Sequence, residues 1–154
     1  MNTSETRVWV GLAMAVPLSL VVGCASVKAP ILAVDSMKLG NMGITGVTVD
    51  VAFRVRNPNP EPMKVDRFEY ELFVNGKRLG RGFESNGFDL PGFGEETVRS
   101  RFDVNLLGLP GAVKEVLQED RVKARAKGRF YASGEFGRKE LGFDSDAEVG
   151  LGRR

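Results

Sequence analysis

The amino-acid sequence predicts an all-β domain of seven antiparallel strands and one short helix, behind a short apolar leader. Three observations carry that prediction. Val47, Val49, Val51, Phe53 and Val55 alternate with Thr48, Asp50, Ala52, Arg54 and Arg56, the period-2 signature of a strand with one buried and one wet face. Asn75-Gly76 lies between two further strand-like runs, and the favoured two-residue hairpin needs positive φ at both of its central residues, which Asn and Gly tolerate. Near the end of the chain, two runs each keep charge on one parity and apolar or small residues on the other.

Composition narrows the chemistry. With 154 residues, of which 42% are hydrophobic, the chain suffices for one packed domain and is short for two. A net charge of +2 supplies no overall pull toward nucleic acid. The sequence has no histidine, the usual general base near neutral pH and the commonest metal ligand, so no metal site or cofactor is expected. Its single cysteine excludes an intrachain disulfide.

Taken in order, residues 1–23 read as an export signal forming a helix. The apolar run Val8 to Val22 is shorter than a comfortable membrane span, contains Pro17 and ends in small residues, not in a positively charged flank. Leu20-Val21-Val22-Gly23-Cys24 resembles the lipobox of bacterial lipoproteins. That resemblance implies cleavage between Gly23 and Cys24, acylation of Cys24 and attachment to a membrane through its acyl chains. Several chains together hold a domain on a bilayer where one alone does not. Ala25 follows the Cys, and in a cell with two membranes the resemblance then implies the outer membrane, facing the periplasm. Residues 24–30 form a tether, residues 31–151 the domain and residues 152–154 a C-terminal tail.

Ile31 to Leu39 reads as the first strand and Gly40 to Gly43 as its turn. The Val47 to Arg56 strand ends at Asn57-Pro58-Asn59-Pro60. Each proline lacks an N–H for a ladder and restricts the residue before it, so pairing stops and the chain turns. Met63 to Val74 follows, with a parity break near Asp66-Arg67 that predicts a bulge. Lys77 to Ser85 returns from the hairpin, and its Gly80 and Gly82 suit an edge. Asn86 to Glu95 reads as a turn-rich connection whose Phe88, Leu90 and Phe93 lie back over the core. It lacks the Lys-Ser/Thr ending of a phosphate-binding loop. Glu96 to Leu106 alternates again, and Pro110 to Glu119 carries a short apolar stripe at helical spacing.

Arg121, Lys123, Arg125, Lys127 and Arg129 make a basic row, answered by Glu140, Asp144, Asp146 and Glu148. A hairpin with its loop at Gly134-Glu135 sets Arg129 by Glu140, Arg125 by Asp144, Lys123 by Asp146 and Arg121 by Glu148. It also sets Ala126 by Phe143 and Gly128 by Leu141. The rows thereby specify register, and the basic row is no longer a nucleic-acid site.

Val51-Ala52-Phe53-Arg54-Val55-Arg56-Asn57-Pro58-Asn59, with Phe68 to Lys77 and Gly80 to Gly82 beyond it, resembles the late embryogenesis abundant (LEA) type 2, or WHy (water stress and hypersensitive response), domain in its bacterial lipoprotein form. The resemblance covers most of the chain after Cys24. It implies a seven-stranded antiparallel β-sandwich of the fibronectin type III or immunoglobulin-like kind. It also implies a non-enzymatic role protecting stress-labile proteins or membranes during desiccation, osmotic or cold stress. An envelope module that binds lipid, glycan or an assembly partner is the alternative. Carboxylates such as Glu95 and Glu96 are explained by solvation at a strand edge, with nothing to place them across a cleft.

Overall fold

The structure, a computed structural model, describes residues 26–109 and 111–153. The leader, Gly23, Cys24 and Pro110 lie outside the described residues. Eight strands follow in order: β1 Ile31–Met42, β2 Gly46–Arg56, β3 Met63–Val74, β4 Lys77–Glu84, β5 Phe88–Leu90, β6 Glu95–Asn105, β7 Arg121–Gly134 and β8 Gly137–Arg153. A 3-10 turn, Leu106–Gly108, and the helix α1, Gly111–Val116, connect β6 to β7. Asn105 caps that turn, its Oδ1 accepting the Leu107 N–H at 2.9 Å.

All-β is therefore the fold class, while the expected architecture needs correction. Seven strands in two antiparallel sheets become one continuous path, β4-β3-β7-β8-β1-β2-β6, with β5 paired to β3. This sheet curls into a nearly closed barrel. β1 and β8 run parallel, Met37 facing Leu151 and Leu39 facing Arg153. Residues 152 and 153 are thus strand instead of tail. The extra strand, β5, lies in the segment expected to be a loop, with Met63 facing Leu90 and Val65 facing Phe88. β1 also continues through the expected turn to Met42, with an irregular step between Leu39 and Met42. Among the described residues no ladder joins β4 to β6; the Phe102 ring of β6 packs against Gly80 of β4 instead.

The interior is filled by side chains from alternate strand positions, as a small barrel requires. Phe53 and Tyr70 meet edge to face with centroids 4.7 Å apart, and Phe68 and Phe130 lie 5.5 Å apart. The bulge expected near Asp66 falls between Val65 and Arg67, where β3 shifts against β7. Asn75 (φ 46) and Gly76 (φ 78) make the tight turn between Val74 and Lys77.

The β7–β8 hairpin turns one residue later than expected, at Glu135-Phe136, with Gly134 facing Gly137. Two local features place it there. Gly134 leaves room for the Phe136 ring to fold over it, and Gly137 takes up φ 81. Facing partners move by two residues: Arg125 faces Asp146, Lys123 faces Glu148, Ala126 faces Ser145 and Gly128 faces Phe143. A shift of two leaves every residue on its own face of the sheet. The long arginines then reach diagonally, so that Arg129–Glu140 at 2.7 Å, Arg125–Asp144 at 2.7 Å and Arg121–Glu148 at 2.9 Å still pair.

Gly128 is sterically obligatory, because a Cβ there would overlap the Glu69 carbonyl and crowd the Phe143 ring. Around Gly142 the nearest atom to a built Cβ is the Gly128 oxygen at 3.9 Å. Gly128→Ala is expected to cost about 2 kcal/mol or more, whereas Gly142→Ala is nearly neutral, as denaturant unfolding of both variants will read.

Burial pushes the Tyr70 phenol up to about 12; the nearby Ser100 hydroxyl opposes this and the Glu84 carboxylate adds to it. Among the described residues neither the Tyr70 nor the Ser100 hydroxyl completes a hydrogen bond. In the unfolded chain Tyr70 releases its proton near 10, while the folded protein holds it to about 12. The folded state therefore binds more protons in that window, and stability falls as pH rises through it, by about 2 kcal/mol at pH 12. Urea midpoints measured from pH 9 to 12 are expected to show this decline, and Tyr70→Phe to remove it without loss at neutral pH.

Candidate functional site at the Asn-Pro corner

β2 ends at Arg56, and the next four residues carry two prolines with no N–H to give. The corner is nonetheless buried, with Asn57 fully enclosed and Asn59 only 6% exposed. Backbone groups so placed require partners. The Asn57 carboxamide supplies them: its Nδ2 donates to the Glu61 carbonyl at 2.8 Å and to the Pro91 carbonyl at 3.2 Å. Its Oδ1 accepts both the Asn59 N–H and Asn59 Nδ2, each at 2.9 Å. The Asn57 N–H donates to the Gly94 carbonyl at 2.9 Å. One side chain thus ties the end of β2 to the approach to β3 and to the segment between β5 and β6.

Asn59 turns outward from this network and holds the chain that enters the domain. The Lys28 N–H donates to Asn59 Oδ1 at 2.8 Å, and Asn59 Nδ2 donates to the Lys28 carbonyl at 2.8 Å. A carboxamide here does what a neighbouring strand would do, offering one acceptor and one donor to the same residue. Pro30 is buried and Val27 packs against the core, so residues 26–30 are docked along the domain and are no free spacer.

The segment 91–94 completes the corner. The Phe93 N–H donates to the Asn59 carbonyl at 2.9 Å, and the Gly94 N–H to the Pro91 carbonyl at 2.8 Å. Gly92 permits this approach, since a Cβ there would overlap the Pro60 carbonyl. Phe93, expected over the core, is instead 69% exposed, with φ at 54. Its left-handed backbone turns the side chain away from the interior that Phe88 and Leu90 occupy.

Of the residues singled out in the sequence, Asn57, Pro58, Asn59 and Pro60 form this corner, while Asn75 and Gly76 lie at the opposite end of the barrel. Asn75 also extends a ladder, its N–H donating to the Lys123 carbonyl at 2.8 Å and its Oδ1 accepting the Lys123 N–H at 2.8 Å. Gly23 and Cys24 lie outside the described residues. Sequence reasoning missed Lys28, Gly92 and Phe93. Lys28 acts through its backbone and leaves no sequence signal, whereas Pro91-Gly92-Phe93-Gly94 signalled a turn without showing what it meets.

Fold and corner together define a small all-β domain with its entering chain clamped to one end. The family model for the late embryogenesis abundant protein, LEA type 2, matches residues 52–147, and the chain belongs to that family. An uncharacterized protein of Methanocaldococcus jannaschii is 30% identical over 104 residues, covering 67% of this chain and 24% of its own. The chain thus spans about a quarter of that curated relative. The solution structure of AT1g01470 from Arabidopsis thaliana matches with a TM-score of 0.62 at 14% identity, over 84% of this chain and 85% of its own. A structural-genomics target solved by X-ray diffraction, SoR45, matches with a TM-score of 0.53 at 9% identity, over 82% and 90%. These two similarities concern the fold.

Asn57→Ala strips partners from the buried Asn59 N–H and from the part-buried Glu61 and Pro91 carbonyls at once and is expected to cost about 3 kcal/mol in denaturant unfolding. Asn59→Ala releases mainly Lys28, with an expected loss of about 1 kcal/mol. Hydrogen exchange at the Lys28 amide then separates the two roles: in Asn59→Ala it accelerates before the barrel amides do.

Proposed function

We propose that this chain is a membrane-tethered, non-enzymatic envelope lipoprotein that protects proteins or membranes when water is withdrawn. Membership of the LEA type 2 family over residues 52–147 is the observation that carries this reading. The lipobox-like Leu20 to Cys24 supports a lipid anchor on the outer membrane, facing the periplasm. No cofactor or metal is part of the proposal.

The outer face of the barrel supports a physical mechanism. Along β7 and β8 the basic and acidic rows stand in solvent, paired diagonally by Arg121, Arg125 and Arg129. Glu71 of β3 pairs with Arg78 at 3.0 Å on the other side. The Asp144 carboxyl is held below its ordinary value by Arg125, first through the hydrogen bond between them. Such a surface keeps its charges, binds water and offers neighbours few apolar contacts. Tethered near a bilayer, it separates partly unfolded proteins that would otherwise associate as water is lost.

Two measurements on the full chain test the reading. Cells carrying the wild-type protein are expected to retain it in the membrane fraction and cells carrying Cys24→Ala in the soluble fraction; equal partition removes the anchor. A labile enzyme dried or freeze-thawed with the protein is expected to keep more activity than with an equal mass of an unrelated soluble protein. Equal protection removes the specific role.

A further inference from the structure

Two features meet at Asn59 for different reasons. Its side chain clamps Lys28, the entering chain, and its carbonyl accepts the N–H of Phe93. The point where the chain enters and an exposed phenylalanine are therefore held by one residue. Cys24 lies four residues before Lys28. Four extended residues span at most about 14 Å. A membrane attached at Cys24 must then lie beside this end of the barrel.

Phe93 does not serve the fold by its side chain. It is 69% exposed, and its φ of 54 lies in the left-handed region, where a bulky residue is an outlier. A Gly or Asn would make the same turn with less strain. Pro60, Pro62 and Pro91 are exposed around the same corner. Charge there is mixed, with Lys28, Lys64 and Arg138 beside Glu61, Asp89 and Glu135, so no single sign dominates. What this end offers is an aromatic ring on a rigid, proline-lined turn.

Resting on the reading of Cys24 as acylated, we infer that Phe93 is a second, non-covalent contact with the bilayer that sets the domain's orientation on it. Aromatic side chains favour the boundary between headgroups and acyl chains, and a ring fixed within reach of the anchor enters it without a further loss of translational freedom. Of the other exposed apolar residues, Ile31 faces Arg56 at the corner end and Phe83 faces Glu69 along β3, while three give the opposite expectation. Met42, Ile44 and Leu107 sit at the far end of β2, where Gly46 faces Asn105 and the Leu106 N–H donates to the Thr45 carbonyl. That end lies roughly 35 Å along the strand from the corner, and the orientation set by Phe93 points it away from the membrane.

The test uses the protein purified from cells in its processed form, from which cleavage before Cys24 removes Trp9, the single native tryptophan, and reconstituted in phosphatidylcholine vesicles containing acyl-chain-brominated lipid. Phe93→Trp and Ile44→Trp are made separately, so that each protein carries one indole. Both positions are exposed, and thermal unfolding confirms that each variant folds as the parent does. Indole fluorescence of the Phe93→Trp protein is expected to shift to the blue and to be quenched by the brominated lipid, while that of the Ile44→Trp protein remains water-exposed and unquenched. Quenching should be unchanged between low and high salt. Protein that is acylated by mass and floats with the vesicles, yet is unquenched as Phe93→Trp or quenched as Ile44→Trp, overturns the inference and leaves the anchor standing. Absence of acyl mass at Cys24 overturns the anchor and the inference with it.

Discussion

The hydrogen bonds of the Asn57 carboxamide are the constraint on which the rest of the domain depends. Two prolines end β2 by removing the donors that a ladder uses, yet Asn57 and Asn59 are buried, so the Asn59 N–H has no water to turn to. A single carboxamide has two donors and an acceptor with two lone pairs. All are used here, on groups from the corner, the approach to β3 and the segment after β5. Leu, which has a similar shape, would fill the space and leave those groups unpaired.

From that corner the sheet is built outward in both directions. β2 pairs along its whole length with β6 and along most of it with β1, while β3 carries β4, β5 and β7. β8 links the two sets, antiparallel to β7 and parallel to β1. Small residues allow the curvature: Gly128 passes close to the β3 backbone, and Gly82 lies against the Tyr70 ring, which then projects toward Ser100 in the interior. Closure between β4 and β6 is left to the Phe102 ring on Gly80. An edge kept short of a neighbour by an aromatic side chain and bordered by Arg78 and Arg81 is a poor template for another chain.

What the sequence made legible was whatever a period of two can carry. β2, β3, β6 and the opposed charge rows of β7 and β8 alternate long enough for strand and face to be read directly, and Asn75-Gly76 names its own turn. Three residues of β5 are too few for a period, and the glycines and prolines around Phe88 to Leu90 speak more loudly. The β7–β8 loop falls one residue later than its sequence suggests because Gly134, which has the look of a turn residue, accommodates the Phe136 ring instead. Parallel pairing of β1 with β8 has no local signal, since it depends on where two distant segments finish. The corner was legible as a stop and illegible as a clamp: Asn59 meets Lys28 through backbone atoms, which every residue but proline shares.

That clamp fixes how residues 26–30 meet the domain. A flexible linker leaves orientation free, and any face of a domain then samples its surroundings. Here the carboxamide of Asn59 acts as a strand partner for Lys28, with the donor and the acceptor engaged together. Neither aspartate, which lacks the donor, nor serine, which lacks the reach, satisfies both. Since Asn59 is itself positioned by Asn57, the direction in which the chain leaves the domain is set by the same buried network that closes the corner. Fold stability and the path of the chain that enters the domain are therefore coupled through two asparagines, and neither is adjustable without the other.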